Sequence, residues 1–120
     1  MKIAVTAQGG DLESLGDPRF GRARVFVVFD TETQQCISVD NQVNFNSVQG
    51  AGIQAAGAVA DLGVSAVITG NVGPKAFAAL QAAQLAVYTG ATGTVREAIE
   101  AFQAGRLNLA HSPNVQGHWA

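Results

Sequence analysis

The feature that most restricts the fold is a motif that occurs twice, as VITGNVGPKAF at residues 67–77 and as VYTGATGTVREAI at residues 87–99. Each copy joins a short apolar strand to the start of a helix through a Thr-Gly-x-x-Gly loop. Two consecutive units of this kind predict neighbouring parallel strands joined by right-handed crossovers. A chain of 120 residues with 48% hydrophobic and 13% charged residues can fill one core. We therefore expect a single α/β domain.

The segment before the repeat predicts three further strands. They are the apolar runs KIAVTA at residues 2–7, ARVFVVFD at 23–30 and CISVDN at 36–41. The polar turn TETQQ joins the second run to the third, which predicts an antiparallel hairpin. Ile37 and Val39 alternate with polar neighbours, as expected for a half-exposed strand at a sheet edge. With the two strands of the repeat, the sequence predicts a mixed sheet of five strands.

Three helices are predicted in the second half of the chain: AGIQAAGAVADLG, PKAFAALQAA and TVREAIEAFQAG. Gly63 and Gly105 follow the first and third, where a residue with positive φ ends many helices. Pro74 fits the first turn of the second helix, because its missing N–H has no partner there in any case. Thr94 and Glu97 have the spacing of a capping box at the start of the third helix.

The two Gly-rich loops are candidate anion sites. They follow the carboxyl ends of parallel strands, where open α/β sheets bind ligands. The first N–H groups of a helix lack partners within it, and the helix dipole favours an anion there. VQGAG at residues 48–52 would supply a third such helix end, while Arg19, Arg22, Arg24 and Lys75 add positive charge. The alternative is that each glycine serves only its turn.

Several classes of function gain no support from the sequence. The formal net charge of -2 does not favour binding of nucleic acid or an anionic membrane. GNVGPKA departs from the Walker A spacing, and a single cysteine, Cys36, excludes a four-cysteine metal site. Of the acids, only Asp30 lies at a predicted strand end, so a catalytic carboxylate cluster is not predicted. The short N-terminal apolar run lacks signal-peptide features, and we expect a cytoplasmic, non-catalytic protein.

The stretches DPRFGRARVFVVFDTET, GAG, VITGNVGPKAFAAL and YTGATGTVREAIEAFQAGRL resemble the dinitrogenase iron-molybdenum cofactor biosynthesis family. The resemblance covers residues 1–107, a single domain, and leaves residues 108–120 as a C-terminal tail. It implies a ribonuclease H-like three-layer α/β fold that binds molybdenum- or iron-containing sulfide clusters or their precursors. Within the family, the chain is most similar to members that hold a molybdenum-copper sulfide cluster without covalent attachment.

Two positions depart from the family pattern. Many members carry His where this sequence has Arg19 and Gln49, so side-chain ligation of iron at these positions is not expected. A sulfide cluster that brings its own ligands and negative charge needs only N–H groups, arginine and apolar contacts from the protein. The residues expected to bind it are Arg19, Phe20, Gly21, Arg22, Arg24, Gln49, Gly50, Asn71, Gly73, Thr92 and Gly93.

These candidates have different expected roles. The arginines would balance the charge of the cluster, with Arg22 and Arg24 on one face of a strand, and one arginine would instead pair with Asp17 or Asp30. Asn71, Gly73, Thr92 and Gly93 would present hydrogen-bond donors, and Asn46 and Gln49 lie in a loop that would close over the ligand. Phe20 would contact the cluster or, alternatively, fill the local core. The expected partner is a cofactor-acceptor or assembly protein.

Other residues have weaker claims. Cys36 is interpreted as a structural or surface thiol rather than a copper ligand, because it lies on the predicted edge strand. His111 and His118 are expected to be exposed in the tail, where Trp119 would dock on the domain or on a partner. The alternative function is a regulatory or interaction domain that binds a small oxyanion or an iron-molybdenum precursor.

Overall fold

The computed structural model of the chain describes residues 1–41 and 50–115. These residues form a mixed α/β structure with a six-stranded sheet and three helices. The strands are β1 (Lys2–Ala7), β2 (Val25–Asp30), β3 (Cys36–Asp40), β4 (Ala66–Ile68), β5 (Ala86–Thr89) and β6 (Asn108–Leu109). The helices are α1 (Ala51–Ala60), α2 (Pro74–Ala82) and α3 (Val95–Gln103).

The strand order in the sheet is β3-β2-β1-β4-β5-β6. β1, β4 and β5 are parallel to one another, as the repeated motif predicts, and β2 and β3 form the predicted antiparallel hairpin at one edge. Ala7 at the end of β1 pairs with Val25 at the start of β2. The segment that leads into β2 therefore lies at the same edge of the sheet as the carboxyl ends of the parallel strands.

The helices cover both faces of the sheet, which gives three layers. One face packs against α1 and α2 around Ala55, Val59, Phe77 and Leu80. The other face packs against α3, with Val95, Ala98 and Ile99 as its buried residues. Because β1 and β4 are covered on both faces, their residues form continuous apolar runs rather than an alternating pattern.

The predicted helix ends are confirmed. Pro74 occupies the first turn of α2, and Gly63 and Gly105 have φ angles of 74° and 72° beyond the ends of α1 and α3. At the start of α3, the Thr94 N–H donates to Glu97 Oε1 at 2.9 Å, and the Glu97 N–H donates to Thr94 Oγ1 at 3.1 Å. These local interactions involve residues close in sequence, and for that reason the pattern predicts them well.

The sheet has one strand more than the sequence predicted. β6 pairs antiparallel with β5 through Tyr88 opposite Leu109 and Thr89 opposite Asn108. Both residues of β6 are exposed, so the strand carries no apolar alternation that could reveal it. The domain boundary predicted after residue 107 falls immediately before this strand. The ribonuclease H-like classification stays a prediction.

None of the helices within residues 1–41 and 50–115 combines the length and the apolar character that crossing a bilayer requires.

Candidate functional site

The loops after β1, β4 and β5 converge at the carboxyl ends of these parallel strands, where the two Gly-rich loops were predicted. Gly90 N in the loop after β5 donates a hydrogen bond to Gly70 O in the loop after β4, at 3.2 Å. The long loop after β1 contacts both of them, since Asn71 N donates to Pro18 O at 2.7 Å and Gly16 N donates to Gly93 O at 2.9 Å. The loops thus form one hydrogen-bonded surface at this edge of the sheet.

A buried group of polar residues fixes this surface from below. The Thr6 hydroxyl donates to the backbone oxygen of Asp17 at 2.7 Å and lies 2.9 Å from the Thr69 hydroxyl. All three residues are buried, and they line a cavity of about the size of one water molecule together with Thr92 and Gly93. Because buried polar groups are costly without partners, this network holds the three loops in one arrangement.

The N-terminal end of α2 is open. Its first N–H groups receive no side-chain cap, because Gly73 stands at the N-cap position. Within the described parts of the chain, no acceptor binds the N–H groups of Gly73, Lys75 or Ala76. Lys75 is exposed, so its N–H group and the positive end of the helix dipole lie at the surface, whereas Gly73 and Ala76 are buried.

The N-terminal end of α3 is closed, which corrects the expectation that both repeated loops offer helix N–H groups. The capping box uses the N–H groups of Thr94 and Glu97. Between them, the N–H groups of Val95 and Arg96 donate to the carbonyl oxygens of Ser14 and Leu12, both at 2.9 Å. The Glu97 carboxylate also brings negative charge to this helix end, so the two copies of the motif are not equivalent as anion sites.

Two glycines of the motif serve packing and turn geometry. A Cβ atom at Gly70 would lie 2.8 Å from Pro18 Cα and 3.0 Å from the Pro18 carbonyl oxygen. Gly93 has a φ of 81°, and a Cβ atom there would collide with the Glu97 carboxylate. The alternative interpretation, that the glycine serves its turn, is therefore supported at Gly93, whereas Gly70 is required by the close approach of Pro18. A binding role for Gly93 and Thr92 stays a prediction.

The structure separates the three arginines. Arg19 Nε lies 3.4 Å from Asp17 Oδ1, which confirms that one arginine pairs with Asp17. The Arg19 side chain is 48% exposed, whereas that of Asp17 is 2% exposed. Arg22 is half-buried and Arg24 is exposed. The prediction that these two share a strand face is wrong, because both lie in the turn before β2 begins at Val25.

Asn41 holds this arginine-bearing turn, a role that was not predicted from the sequence. Its side-chain amide donates to Ala23 O at 2.7 Å and to Gly21 O at 3.4 Å, while its backbone N–H donates to Arg24 O at 2.8 Å. Asn41 itself is fully buried. The sequence carries no signal for this role, because the side-chain amide binds backbone groups 18 and 20 positions away.

The other predicted binding residues have distinct positions. Phe20 is fully buried with its ring 5.8 Å from that of Phe26, which confirms its interpretation as a core residue. Gly21 is buried beside it. Gly50 is exposed with a φ of 74° and starts α1 without a side-chain cap. Asn46 and Gln49 lie outside the described residues, so their predicted closure over the ligand stays a prediction.

The weaker candidates lie apart from this edge or lack ligand partners. Cys36 is half-buried on the edge strand β3 and packs toward the face that α3 covers. His111 is exposed, as expected. No group of three or more His, Cys, Asp or Glu side chains suited to a metal ion occurs among residues 1–41 and 50–115. His118 and Trp119 fall in a part of the chain that the structure does not describe.

The fold and this edge define a class: a small three-layer α/β domain that presents Gly-rich loops, an open helix end and arginines on one surface. The family model of the dinitrogenase iron-molybdenum cofactor matches residues 1–105. The chain belongs to this family. The resemblance seen in Phe20-Gly21-Arg22 and in the two Gly-rich loops is thereby confirmed.

Solved structures and a sequence relative agree with this membership. The apo form of the orange protein from Desulfovibrio gigas superposes with a TM-score of 0.92 at 48% identity, covering 95% of this chain and 96% of the other. A protein of Thermotoga assigned to NifB gives a TM-score of 0.84 at 36% identity, with 97% and 98% covered. An uncharacterised protein of Methanocaldococcus jannaschii is 31% identical over 110 residues, which is 89% of each chain.

Proposed function

We propose that this protein carries an anionic molybdenum-copper sulfide cluster as a non-covalent cargo and does not catalyse a reaction. The open end of α2, at the same sheet edge as Arg22 and Arg24, is the observation that carries this proposal. A cluster whose metals are already bound to sulfide needs charge compensation and hydrogen-bond donors from its carrier. The described residues offer these groups and no cluster of metal-ligating side chains.

The charges at this edge favour an anion. Arg19 pairs with Asp17, the exposed side chains of Arg24 and Lys75 contribute positive charge, and Arg22 lies half-buried in the same turn as Arg24. Guanidinium groups are weakly hydrated and planar, which suits a large, soft anion better than a compact oxyanion. The N–H groups at the start of α2 add directional donors, and the helix dipole adds a partial positive charge.

The similarity to the orange protein supports a cluster as the cargo. Asn71, Gly73, Gln49 and Gly50 are proposed to complete the site through backbone or amide groups, as are Thr92 and Gly93 on the neighbouring loop. The cargo would be passed in the cytoplasm to a cofactor-acceptor or assembly protein, in keeping with the family. An iron-molybdenum precursor of similar charge would be held by the same groups.

A second candidate function is an oxyanion-binding regulatory domain. The observation that favours it is the absence of a side-chain cap on α2, because open helix ends bind phosphate-like anions in many proteins. The two functions are distinguished by whether the bound ligand absorbs visible light. A thiomolybdate cluster has charge-transfer bands in the visible range, whereas phosphate and molybdate leave the protein colourless.

The test is reconstitution of the metal-free protein with tetrathiomolybdate and copper. After desalting, the visible spectrum and the contents of molybdenum and copper are measured, with a protein-free mixture carried through the same column. We expect both metals to elute with the protein in a fixed ratio and with a structured visible band. Colourless protein that retains inorganic phosphate or molybdate instead would reject the cluster and favour the oxyanion-binding domain.

A further inference from the structure

The chain beyond β6 returns to the first Gly-rich loop and binds it through Asn114. The side-chain oxygen of Asn114 accepts a hydrogen bond from Val72 N at 2.7 Å, and the backbone N–H of Asn114 donates to Val72 O at 3.1 Å. The Asn114 amide nitrogen donates to Asn71 Oδ1 at 3.1 Å and lies 3.4 Å from Gly70 O. A single side chain thus contacts three consecutive residues of the loop.

This contact satisfies a buried part of the loop. Val72 is fully buried with Asn114 in place, and Asn114 itself is exposed, so without this side chain the Val72 N–H would need water as its acceptor. An unsatisfied buried N–H costs roughly 1–3 kcal/mol, and the loop would have to change its path to avoid that cost. The position of the loop backbone therefore depends on Asn114.

The loop is also held on its other side. Asn71 N donates to Pro18 O at 2.7 Å, and Phe20 N donates to Asn71 O at 3.3 Å. Asn71 lies between this segment and Asn114. The next residue after Val72 is Gly73, whose N–H begins the open end of α2. The two flanking contacts together determine where the free donors of α2 point.

We propose that Asn114 is a positioning residue for the anion site at α2, which it preorganises by fixing Val72 and Asn71. This inference rests on the proposed function, because it names a determinant of affinity for the same site. Preorganised donors bind more tightly because ordering them at the moment of binding carries an entropic cost. Asn114 lies beyond residue 105, where the match to the family model ends.

The test compares Asn114→Ala and Asn114→Asp with a matched control, Ser112→Ala, in the same segment. Asn114→Ala is expected to speed hydrogen exchange of the Val72 amide about tenfold or more and to weaken binding of the thiomolybdate-copper cluster by a similar factor. Asn114→Asp keeps an acceptor for Val72 N but removes the two amide donations and adds negative charge. It should restore slow Val72 exchange and still bind the cluster weakly.

A double-mutant cycle with Asn71→Ala separates positioning from a general effect on stability. If Asn114 acts through the loop, the double variant loses less affinity for the cluster than the product of the fold-losses in the two single variants. Binding is measured well below the thermal midpoint of each variant, so that all of the protein is folded. A lower midpoint with unchanged affinity in Asn114→Ala would overturn the positioning role.

The proposed cargo and the positioning role fail in different ways. If the wild type binds no thiomolybdate-copper cluster but binds inorganic molybdate, the cargo is wrong, and the same variants are compared with molybdate as the probe. Unchanged molybdate affinity in Asn114→Ala then contradicts the positioning role, whereas weaker binding supports it. Binding of neither probe by the wild type contradicts both proposals.

Discussion

Replacement of Gly70 by alanine is expected to lower the free energy of unfolding by about 2–3 kcal/mol. The added Cβ atom would lie 2.8 Å from Pro18 Cα, and neither backbone can move without breaking the 2.7 Å hydrogen bond from Asn71 N to Pro18 O. The collision is with backbone and not with a flexible side chain, so repacking offers little relief. Urea unfolding followed by far-UV circular dichroism measures the change.

Gly57 provides the matched control for this substitution. It lies within α1, and a Cβ atom there would meet no other atom within 4 Å. Gly57→Ala should leave stability unchanged or raise it by roughly 0.5–1 kcal/mol, because alanine favours the helix. Equal stability of Gly70→Ala and the wild type would show that the two loops do not pack as closely as the structure indicates.

The second large effect is on binding and follows from charge. Reversing two charges at the carboxyl edge, with Arg24→Glu and Lys75→Glu together, is expected to weaken binding of an anionic cluster by about 100-fold, or roughly tenfold for each reversal. Both side chains are exposed, so the fold should be preserved. The difference in cluster affinity between the wild type and the double variant should decrease as salt is added, because exposed charges are screened. Equilibrium dialysis with molybdenum analysis gives the affinities.

Arg106→Glu is the control for the charge change itself. Arg106 is exposed and follows α3, which covers the opposite face of the sheet from α1 and α2. Its reversal changes the net charge in the same direction without altering the proposed site, so affinity should change little. Similar losses in Arg106→Glu and in the double variant would mean that only overall charge matters, which would contradict a defined site at this edge.

The sequence predicted those elements that depend on local interactions. The Thr94 and Glu97 capping box, Pro74 in the first turn of α2 and Gly63 after α1 are each confirmed. Each depends on residues within a few positions of one another, so propensity and spacing carry the information. The parallel strands followed from the repeat because a crossover of this kind has one favoured hand.

The site was harder to predict because its determinants are distant in sequence. The end of α3 is closed by the segment after β1, which is tied to that helix by a 2.6 Å ion pair between Glu13 and Arg96 across 83 positions. That hydrogen bond to Glu13 also raises the pKa of the Arg96 guanidinium. Asn41 and Asn114 likewise act through backbone groups elsewhere in the chain, and such contacts leave no periodic pattern in the sequence.

The proposed function requires that the anion binds at the open end of α2 and not at the capped end of α3. The most direct test is to titrate uniformly ¹⁵N-labelled protein with the preformed thiomolybdate-copper cluster and follow the backbone amide signals. The signals of Gly73, Lys75 and Ala76 should shift in proportion to occupancy, while those of Thr94 and Glu97 stay close to their free positions. Large shifts at Thr94 and Glu97 with unchanged α2 signals would contradict the claim.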